Sequence, residues 1–239
     1  MNKKTINAFW FKKPRPGNFG DILTPLIFSH YGYEVTHSLI EEADYISVGS
    51  IAKLATDRHT VLGSGAMTKH AKINPDANWL WVRGPITSEI VVSQGVSRPL
   101  LHGDPALLLP RLLPLERNAK HKIGIVPHYV DYDYVCETYP EYRVINLLNA
   151  DALDVARQIT ECEKIISSSL HGIIAAHAYG IPAAWVKFSD KLSGDDTKFY
   201  DHYESVDLPC ELSTVENPEF TIADFDDSEI HNFLESGNF

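Results

Sequence analysis

Residues 164–186, KIISSSLHGIIAAHAYGIPAAWV, decide the fold class because they contain a complete strand–turn–helix–strand unit. An apolar strand is predicted at residues 164–166, and a turn rich in serine follows it. The apolar residues 173–179 predict a helix, which a glycine and a proline then end. A second apolar strand is predicted at residues 183–186. This order of elements is typical of a parallel sheet with crossover helices.

The same alternation occurs in both halves of the chain. In the first half, strands are predicted at residues 5–11, 45–48, 60–63 and 79–82, and helices at 22–31 and 85–94. In the second half, further strands are predicted at 123–126 and 143–145, and further helices at 151–162 and 227–234. Pro110, Pro114 and a charged run between the halves predict a linker.

We therefore predict an α/β protein with two Rossmann-like lobes, residues 1–114 and 115–239, whose parallel sheets face a central cleft. Ligands of such sheets bind outside the carboxyl ends of the strands. Polar residues in the turns that follow strands are therefore the candidates for the functional site.

The composition is that of a globular protein, with 44% hydrophobic and 22% charged residues among 239. No apolar run approaches the ~20 residues that a membrane-spanning helix needs. Lys12 and Lys13 stand where a signal peptide would need apolar residues, so we expect a cytoplasmic protein. Cys136, Cys162 and Cys210 lie far apart, which argues against a disulfide scaffold or a zinc knuckle.

The net charge of −11 is concentrated in the C-terminal segment. Residues 190–239 contain 14 acidic residues and two lysines, whereas the rest of the chain is nearly neutral. Phosphate binding needs a basic stripe, so free nucleic acid is not an expected partner. We interpret the acidic segment as a solvated surface.

Two of the candidate turns lie in the first half. In the turn Gly17-Asn18-Phe19-Gly20-Asp21, the Asp21 carboxylate either caps the next helix or points into the cleft as a base or a sugar ligand. In Val82-Arg83-Gly84-Pro85, the proline suits the first position of a helix. Arg83 is either solvated there or offers its planar fork to a carboxylate or phosphate.

The third turn, Ser167-Ser168-Ser169-Leu170-His171-Gly172, gives the strongest signal. It enters an apolar helix, and a helix N-terminus offers free N–H groups and the positive end of the helix dipole to an anion. His171 would lie in the first turn, where it could donate a proton to a phosphate or an enol, or be structural. His177, six residues later on the apolar helix, is predicted to belong to the core.

Other signals are weaker. Gly63-Ser64-Gly65 is not a complete dinucleotide fingerprint, and the chain has no phosphate-binding P-loop, no zinc-protease motif and no nucleophile elbow. His128 follows a predicted strand and either reaches the cleft or is structural. The scattered histidines and aspartates predict no metal site.

These motifs resemble those of the polysaccharide pyruvyl transferases. The matching elements are Gly17–Asp21, residues 82–85, residues 103–106, residues 168–172 and residues 180–182, in the order and spacing of that family. The resemblance implies a fold like that of the B-type glycosyltransferases. It implies transfer of a pyruvyl (carboxyethylidene) group from phosphoenolpyruvate to a sugar of a polysaccharide or its precursor, which leaves a pyruvate ketal on two hydroxyls. Apart from phosphoenolpyruvate as donor, no cofactor or metal is expected.

The resemblance also implies roles for individual residues. Asp21 would be a base or an acceptor ligand, Arg83 a clamp for the donor anion, and His171 the residue of donor binding and proton transfer. The further residues expected to bind substrate are Asn18, Ser64, Gly65, His128, Ser168, Ser169, Leu170, Gly172 and Lys198.

One position departs from the family pattern. Many members have an arginine before the Leu-His pair, and this chain has Ser169. Either Lys198 supplies the missing charge, or the donor binds more weakly or is another compound. Two further interpretations stay open, a glycosyltransferase with a nucleotide-sugar donor and a sugar- or phosphate-binding module without catalysis. A lipid-linked acceptor would bring the protein to the inner face of the membrane.

Overall fold

The computed structural model describes residues 4–239 and contains two parallel β-sheets flanked by helices. The strands of the first sheet are β1 Thr5–Phe9, β2 Glu34–His37, β3 Tyr45–Ile46, β4 Thr60–Ser64, β5 Asn78–Val82 and β6 Leu101–His102. Those of the second sheet are β7 His121–Val126, β8 Arg143–Val144, β9 Cys162–Ser167, β10 Ala183–Val186 and β11 Leu212–Ser213. The first three residues of the predicted first lobe lie outside the described residues.

The strand orders are β2–β1–β3–β4–β5–β6 in the first sheet and β11–β10–β9–β7–β8 in the second. All pairs within both sheets are parallel. The helices are α1 Phe19–His30, α2 Pro85–Val92, α3 Leu109–Leu112, α4 Tyr132–Thr138, α5 Ala152–Thr160, α6 Leu170–Ala178, α7 Thr197–Ser205 and α8 Ser228–Ser236. The predicted α/β class with two Rossmann-like lobes is confirmed.

Helix α6 contacts both lobes and is buried along almost its whole length. It packs on β9 and β10 of its own sheet and on the short segment Pro105–Leu108 of the first lobe. One hydrophobic cluster therefore runs through both lobes and includes Leu23, Leu108 and Ile173. Since the core is continuous, the division at residues 114 and 115 stays a prediction.

Two helices begin three residues earlier than predicted. Helix α1 begins at Phe19 and α6 at Leu170, directly after Asn18 and Ser169, whose backbones are extended. Each helix was expected to begin with its apolar run, but it begins directly after the extended polar residue, Asn18 or Ser169. The interpretation of Asp21 as the N-cap is therefore wrong, because Asn18 occupies that position.

The acidic C-terminal segment is more than a solvated surface, which corrects the interpretation from charge alone. Helix α7, which the sequence did not predict, buries Phe199 and Asp201. The predicted closing helix is confirmed as α8, which buries Ile230. The ring of Phe239 lies 5.4 Å from that of Tyr33, centroid to centroid. The segment therefore returns to pack against the first lobe. Within residues 4–239, no helix has both the length and the apolar character that crossing a bilayer requires.

A buried ion pair fastens α7 to the first lobe. Arg83, directly after β5, donates from Nε to Asp201 Oδ2 at 3.0 Å, and neither side chain has exposed surface. Asp201 also accepts from the backbone N–H of Thr87 at 2.8 Å and from its hydroxyl at 2.6 Å. A Cβ on Gly84 would overlap the carbonyl oxygen of Asp201, so α7 lies directly against the start of α2.

We expect Asp201→Asn to lower the free energy of unfolding by about 3–5 kcal/mol, because it leaves the buried Arg83 guanidinium without a counter-charge. Urea unfolding followed by tryptophan fluorescence measures this change. The matched control is Glu89→Gln on α2, which removes the partner of Arg98 in an exposed ion pair. It should leave the midpoint of urea unfolding unchanged. Equally small effects of the two variants would contradict a structural role for the buried pair.

Candidate functional site

A cavity of about 140 Å³ opens between the lobes at the carboxyl ends of strands from both sheets. Phe11 follows β1, Ser50 follows β3, His128 follows β7 and Ser169 follows β9. Seven of the predicted site residues line this cavity: Asn18, Asp21, His128, Ser169, Leu170, His171 and Lys198. Within the described part of the chain, no group of three potential metal-ligating side chains is assembled.

Helix α6 places His171 in its first turn, against α1. The N-cap Ser169 is held by its backbone N–H, which donates to Ser167 Oγ at 3.0 Å. The imidazole lies directly on Gly20, where any Cβ would overlap the ring. Burial, together with the charges of Arg83 and Lys198, lowers the pKa of His171 to about 3. The ring is therefore neutral at pH 7.

Asp21 faces the cavity from the first turn of α1. Its Oδ2 accepts a hydrogen bond from Asn18 Nδ2 at 3.3 Å. Burial raises the pKa of Asp21 to about 6, although the hydrogen bond from Asn18 acts in the opposite direction. A carboxylate whose pKa lies close to neutral is well matched to accepting a proton.

Lys198 brings a positive charge to the cavity from α7. Burial and the nearby Arg83 lower the pKa of Lys198 to about 8, so the ammonium is still protonated at pH 7 but poorly solvated. The pKa of His128 is lowered to about 4, again by burial first and then by Lys198. A bound anion would relieve the poor solvation of the ammonium.

Arg83 lies behind the cavity wall rather than in it. Its Nη1 donates to Ser50 Oγ at 2.7 Å and its Nη2 to the carbonyl of Ala66 at 2.8 Å, while Nε is bound to Asp201. The guanidinium rests on Gly65, where a Cβ would overlap it. The structure therefore connects Arg83 to the cavity through Ser50, and direct contact with the donor stays a prediction.

The remaining predicted residues also lie behind the lining. Ser64 donates to the carbonyl of Gly49 at 2.9 Å, and Ser168 accepts from the backbone N–H of His128 at 2.9 Å. Gly172 packs so closely on β9 that a Cβ would overlap a serine hydroxyl of that strand. These residues hold the loops that form the cavity, and their contact with substrate stays a prediction. His177 is buried on α6, which confirms its predicted place in the core.

Several residues of the site were not predicted. Those that line the cavity are Phe11, Gly49, Ser50, Ile51 and Met67. The sequence Val48-Gly49-Ser50, a strand end followed by a glycine and a serine, was a usable signal for two of them. Asp104 lies beside His171 and Asp201 beside Arg83. Asp104 stands in the quoted motif of residues 103–106, whereas nothing in the sequence marked Asp201.

A sequence model of the polysaccharide pyruvyl transferase family matches residues 6–190. This match covers more than half of the chain and includes every cavity-lining residue except Lys198. The chain belongs to the polysaccharide pyruvyl transferase family. The resemblance stated from the motifs is thereby confirmed, and Lys198 lies beyond the part that the family model covers.

Two curated relatives are similar in sequence to this polysaccharide pyruvyl transferase family member. The chain is 36% identical over 165 residues to an uncharacterised protein of Acanthamoeba polyphaga mimivirus, and the match covers 65% of this chain and 57% of that protein. The chain is 26% identical over 209 residues to the succinoglycan biosynthesis protein ExoV of Rhizobium meliloti (strain 1021). This match covers 80% of the chain and 62% of ExoV. The chain thus spans about three fifths of the length of these relatives.

Among solved structures, the pyruvyl transferase family member is similar to a functionally uncharacterised protein of Klebsiella pneumoniae subsp. pneumoniae NTUH-K2044. The TM-score is 0.51 with 14% sequence identity, and the match covers 89% of this chain and 93% of that one. At this identity the likeness concerns the fold alone. It agrees with the two parallel sheets described above.

We expect Asp21→Asn to stabilise this pyruvyl transferase family member at pH 7 by about 1–3 kcal/mol and to leave its stability unchanged at pH 4. The folded state binds the Asp21 proton more tightly than the unfolded state, so wild-type stability falls as the pH rises from about 4 to about 6. The variant loses this dependence. Urea unfolding at the two pH values measures the difference.

The exposed Asp57→Asn serves as control, and its effect should be the same at both pH values. A stabilisation by Asp21→Asn that is equal at pH 4 and pH 7 would show that burial of the carboxylate is not the cause.

Proposed function

We propose that the protein transfers a pyruvyl group from phosphoenolpyruvate to two hydroxyls of a sugar in a polysaccharide or its precursor, forming a pyruvate ketal. The observation that carries this proposal is the cavity where Lys198, His171 and the N-terminus of α6 converge. Membership of the polysaccharide pyruvyl transferase family supports the reaction class.

The cavity suits a small, strongly anionic donor. Phosphoenolpyruvate carries a carboxylate and a phosphate. The cavity offers the Lys198 ammonium and is lined by Leu170 and His171, the first two residues of α6, at the positive end of the helix dipole. Its volume of about 140 Å³ lies below the ~300–1,000 Å³ of sites for drug-sized ligands. The size therefore favours a three-carbon phosphate over a nucleotide sugar.

The acid–base groups suit an addition followed by a displacement. Neutral His171 takes the proton of the first sugar hydroxyl and passes it to the methylene carbon of phosphoenolpyruvate, while the hydroxyl oxygen bonds to the carbon that bears the phosphate. A proton that moves in this way never requires a protonated imidazole in the resting enzyme, which matches the lowered pKa of His171. Asp21 then takes the proton of the second hydroxyl, whose oxygen bonds to the same carbon as the C–O bond to phosphate breaks, and passes that proton to the departing phosphate. Phosphate departs as an anion stabilised by Lys198 and the end of α6.

We expect phosphoenolpyruvate to stabilise the wild-type protein against heat, by ~2.7 kcal/mol at about 100 times its dissociation constant. Lys198→Met should abolish this stabilisation because it removes the cation that the cavity presents. The control Lys191→Met changes an exposed lysine of the same region and should preserve it. Differential scanning fluorimetry with phosphoenolpyruvate, and separately with UDP, gives the comparison.

Stabilisation by UDP and not by phosphoenolpyruvate would contradict the proposal and favour a nucleotide-sugar glycosyltransferase. Retention of the phosphoenolpyruvate effect in Lys198→Met would place the donor elsewhere.

We expect His171→Gln to lower turnover by about 10²–10⁴-fold while phosphoenolpyruvate still stabilises the protein, since a positioned acid–base group contributes about that factor. Phosphate release from phosphoenolpyruvate in the presence of a panel of hexose oligosaccharides measures turnover. Binding without turnover of the wild-type protein on any sugar would favour a non-catalytic binding module. Full activity of His171→Gln would exclude His171 as the proton carrier.

A further inference from the structure

Two buried polar atoms next to the cavity face each other without hydrogen-bond partners. Asp104 Oδ2 and His171 Nε2 lie 3.8 Å apart, and neither has a partner anywhere within residues 4–239. The Asp104 side chain has no exposed surface. Its other oxygen, Oδ1, accepts from the backbone N–H of Ala106 at 2.9 Å, which fixes the orientation of the carboxyl group. An unpaired buried carboxyl oxygen is costly, so its alignment with a ring nitrogen calls for a function.

The other charged groups around this pair already have partners or lie elsewhere. Arg83, at the end of β5, is bound to Asp201, Ser50 and the carbonyl of Ala66. Asp201 accepts in addition from Thr87 on α2.

The remaining titratable groups near the ring come from α1 and α7. Asp21 on α1 accepts a hydrogen bond from Asn18, the residue directly before that helix. Lys198 on α7 carries an ammonium, which can only donate. His202 on α7 is bound through Nε2 to His177 Nδ1 at 3.1 Å, and its Nδ1 is also without a partner in the described part of the chain. The Asp104 carboxyl, 3.8 Å from His171 Nε2, is the acidic group positioned to exchange a proton with it.

We propose that Asp104 is the positioning residue that decides which ring nitrogen of His171 carries the proton. The distance of 3.8 Å is longer than a hydrogen bond, and catalytic hydrogen bonds are often long before substrate binds. An ionised Asp104 accepts from Nε2–H, which leaves the Nδ1 lone pair, on the Gly20 side of the ring, free to take a proton. A protonated Asp104 donates to Nε2 and forces the proton onto Nδ1.

The surroundings shift the pKa values of Asp104 and His171 in opposite directions. Burial raises the pKa of Asp104 to about 6, whereas the pKa of His171 is lowered to about 3. As the pH rises through about 6, the carboxyl ionises while the imidazole stays neutral throughout. The ring then changes its tautomer without changing its charge. In an ordinary histidine titration, by contrast, the charge of the ring changes.

The use of the pair in catalysis rests on the proposed pyruvyl transfer. With Asp104 ionised, Nδ1 accepts the proton of the sugar hydroxyl and Nε2–H stays bound to the carboxylate, which stabilises the transient imidazolium. Nδ1 then gives the same proton to the methylene carbon of phosphoenolpyruvate, and the hydroxyl oxygen forms its bond to the adjacent carbon. His171 and Asp104 end in their starting states, so the step is balanced.

The test is the tautomer of His171, read from long-range ¹H–¹⁵N correlation spectra of the full-length protein between pH 5 and 8. The ring signals are assigned by their loss in His171→Gln. We expect wild type to change from the Nδ1–H to the Nε2–H tautomer near pH 6. In Asp104→Asn the Oδ1 acceptor for Ala106 is kept and the amide NH₂ faces Nε2, so the ring should stay Nδ1–H at every pH.

The matched control is Asp21→Asn, which removes the other carboxyl near the cavity with a pKa of about 6. The tautomer change should persist in this variant. The proposal would be overturned if the tautomer change were lost in Asp21→Asn and kept in Asp104→Asn. It would also be overturned if the wild-type protein showed no tautomer change.

Kinetics then connect the pair to the reaction. We expect Asp104→Asn to lower turnover by about 10²–10⁴-fold while phosphoenolpyruvate binding is kept, because the wrong tautomer blocks proton acceptance. Full turnover of Asp104→Asn would overturn the catalytic part. If the tautomer change occurs but wild type transfers no pyruvyl group, the pairing of Asp104 with His171 stands and the proposed function fails.

Discussion

The buried charge of Arg83 is the constraint on which the cavity depends. A guanidinium without access to water must have its donors satisfied, and Asp201, Ser50 and the carbonyl of Ala66 satisfy them. These partners come from helix α7 and from the loops after β3 and β4. One side chain thus holds three separate parts of the chain in register. Because Lys198 lies one helical turn before Asp201, the same pair also sets the position of the ammonium in the cavity.

The same charge shapes the acid–base properties of the site. It adds to burial in lowering the pKa of both His171 and Lys198. The cavity is therefore lined by a neutral imidazole, a poorly solvated ammonium and the Asp21 carboxyl, and the Asp104 carboxyl lies next to it; burial raises the pKa of both carboxyls. At pH 7 the burial of the Lys198 ammonium and of the two carboxyls lowers the free energy of unfolding. Such a concentration of unfavourably placed polar groups is expected where function rather than stability decides the residues.

Local sequence patterns predicted much of the fold and of the cavity. Polar residues after strands were expected at the ligand site, and Asn18, Asp21, Ser169 and His171 do line it, because the carboxyl ends of parallel strands meet at one edge. The starts of α1 and α6 were misplaced because Gly20 and Gly172 were interpreted as turn residues, whereas both lie in the first turn of a helix. Helix α7 escaped prediction, since its buried face mixes apolar with charged residues such as Asp201, whose partner lies far away in the chain.

The amino-acid sequence was enough to predict the α/β class, the strand–turn–helix motifs and, through the order of those motifs, the family. These features depend on residues close together in the chain, whose periodicity and turn chemistry are local. What each polar side chain faces is visible only in the folded protein. Arg83 turns away from the cavity toward Asp201, 118 residues further along, and Asp104 turns toward His171. The partner of a buried charge depends on which elements pack together, and packing between distant segments is not written in any local pattern.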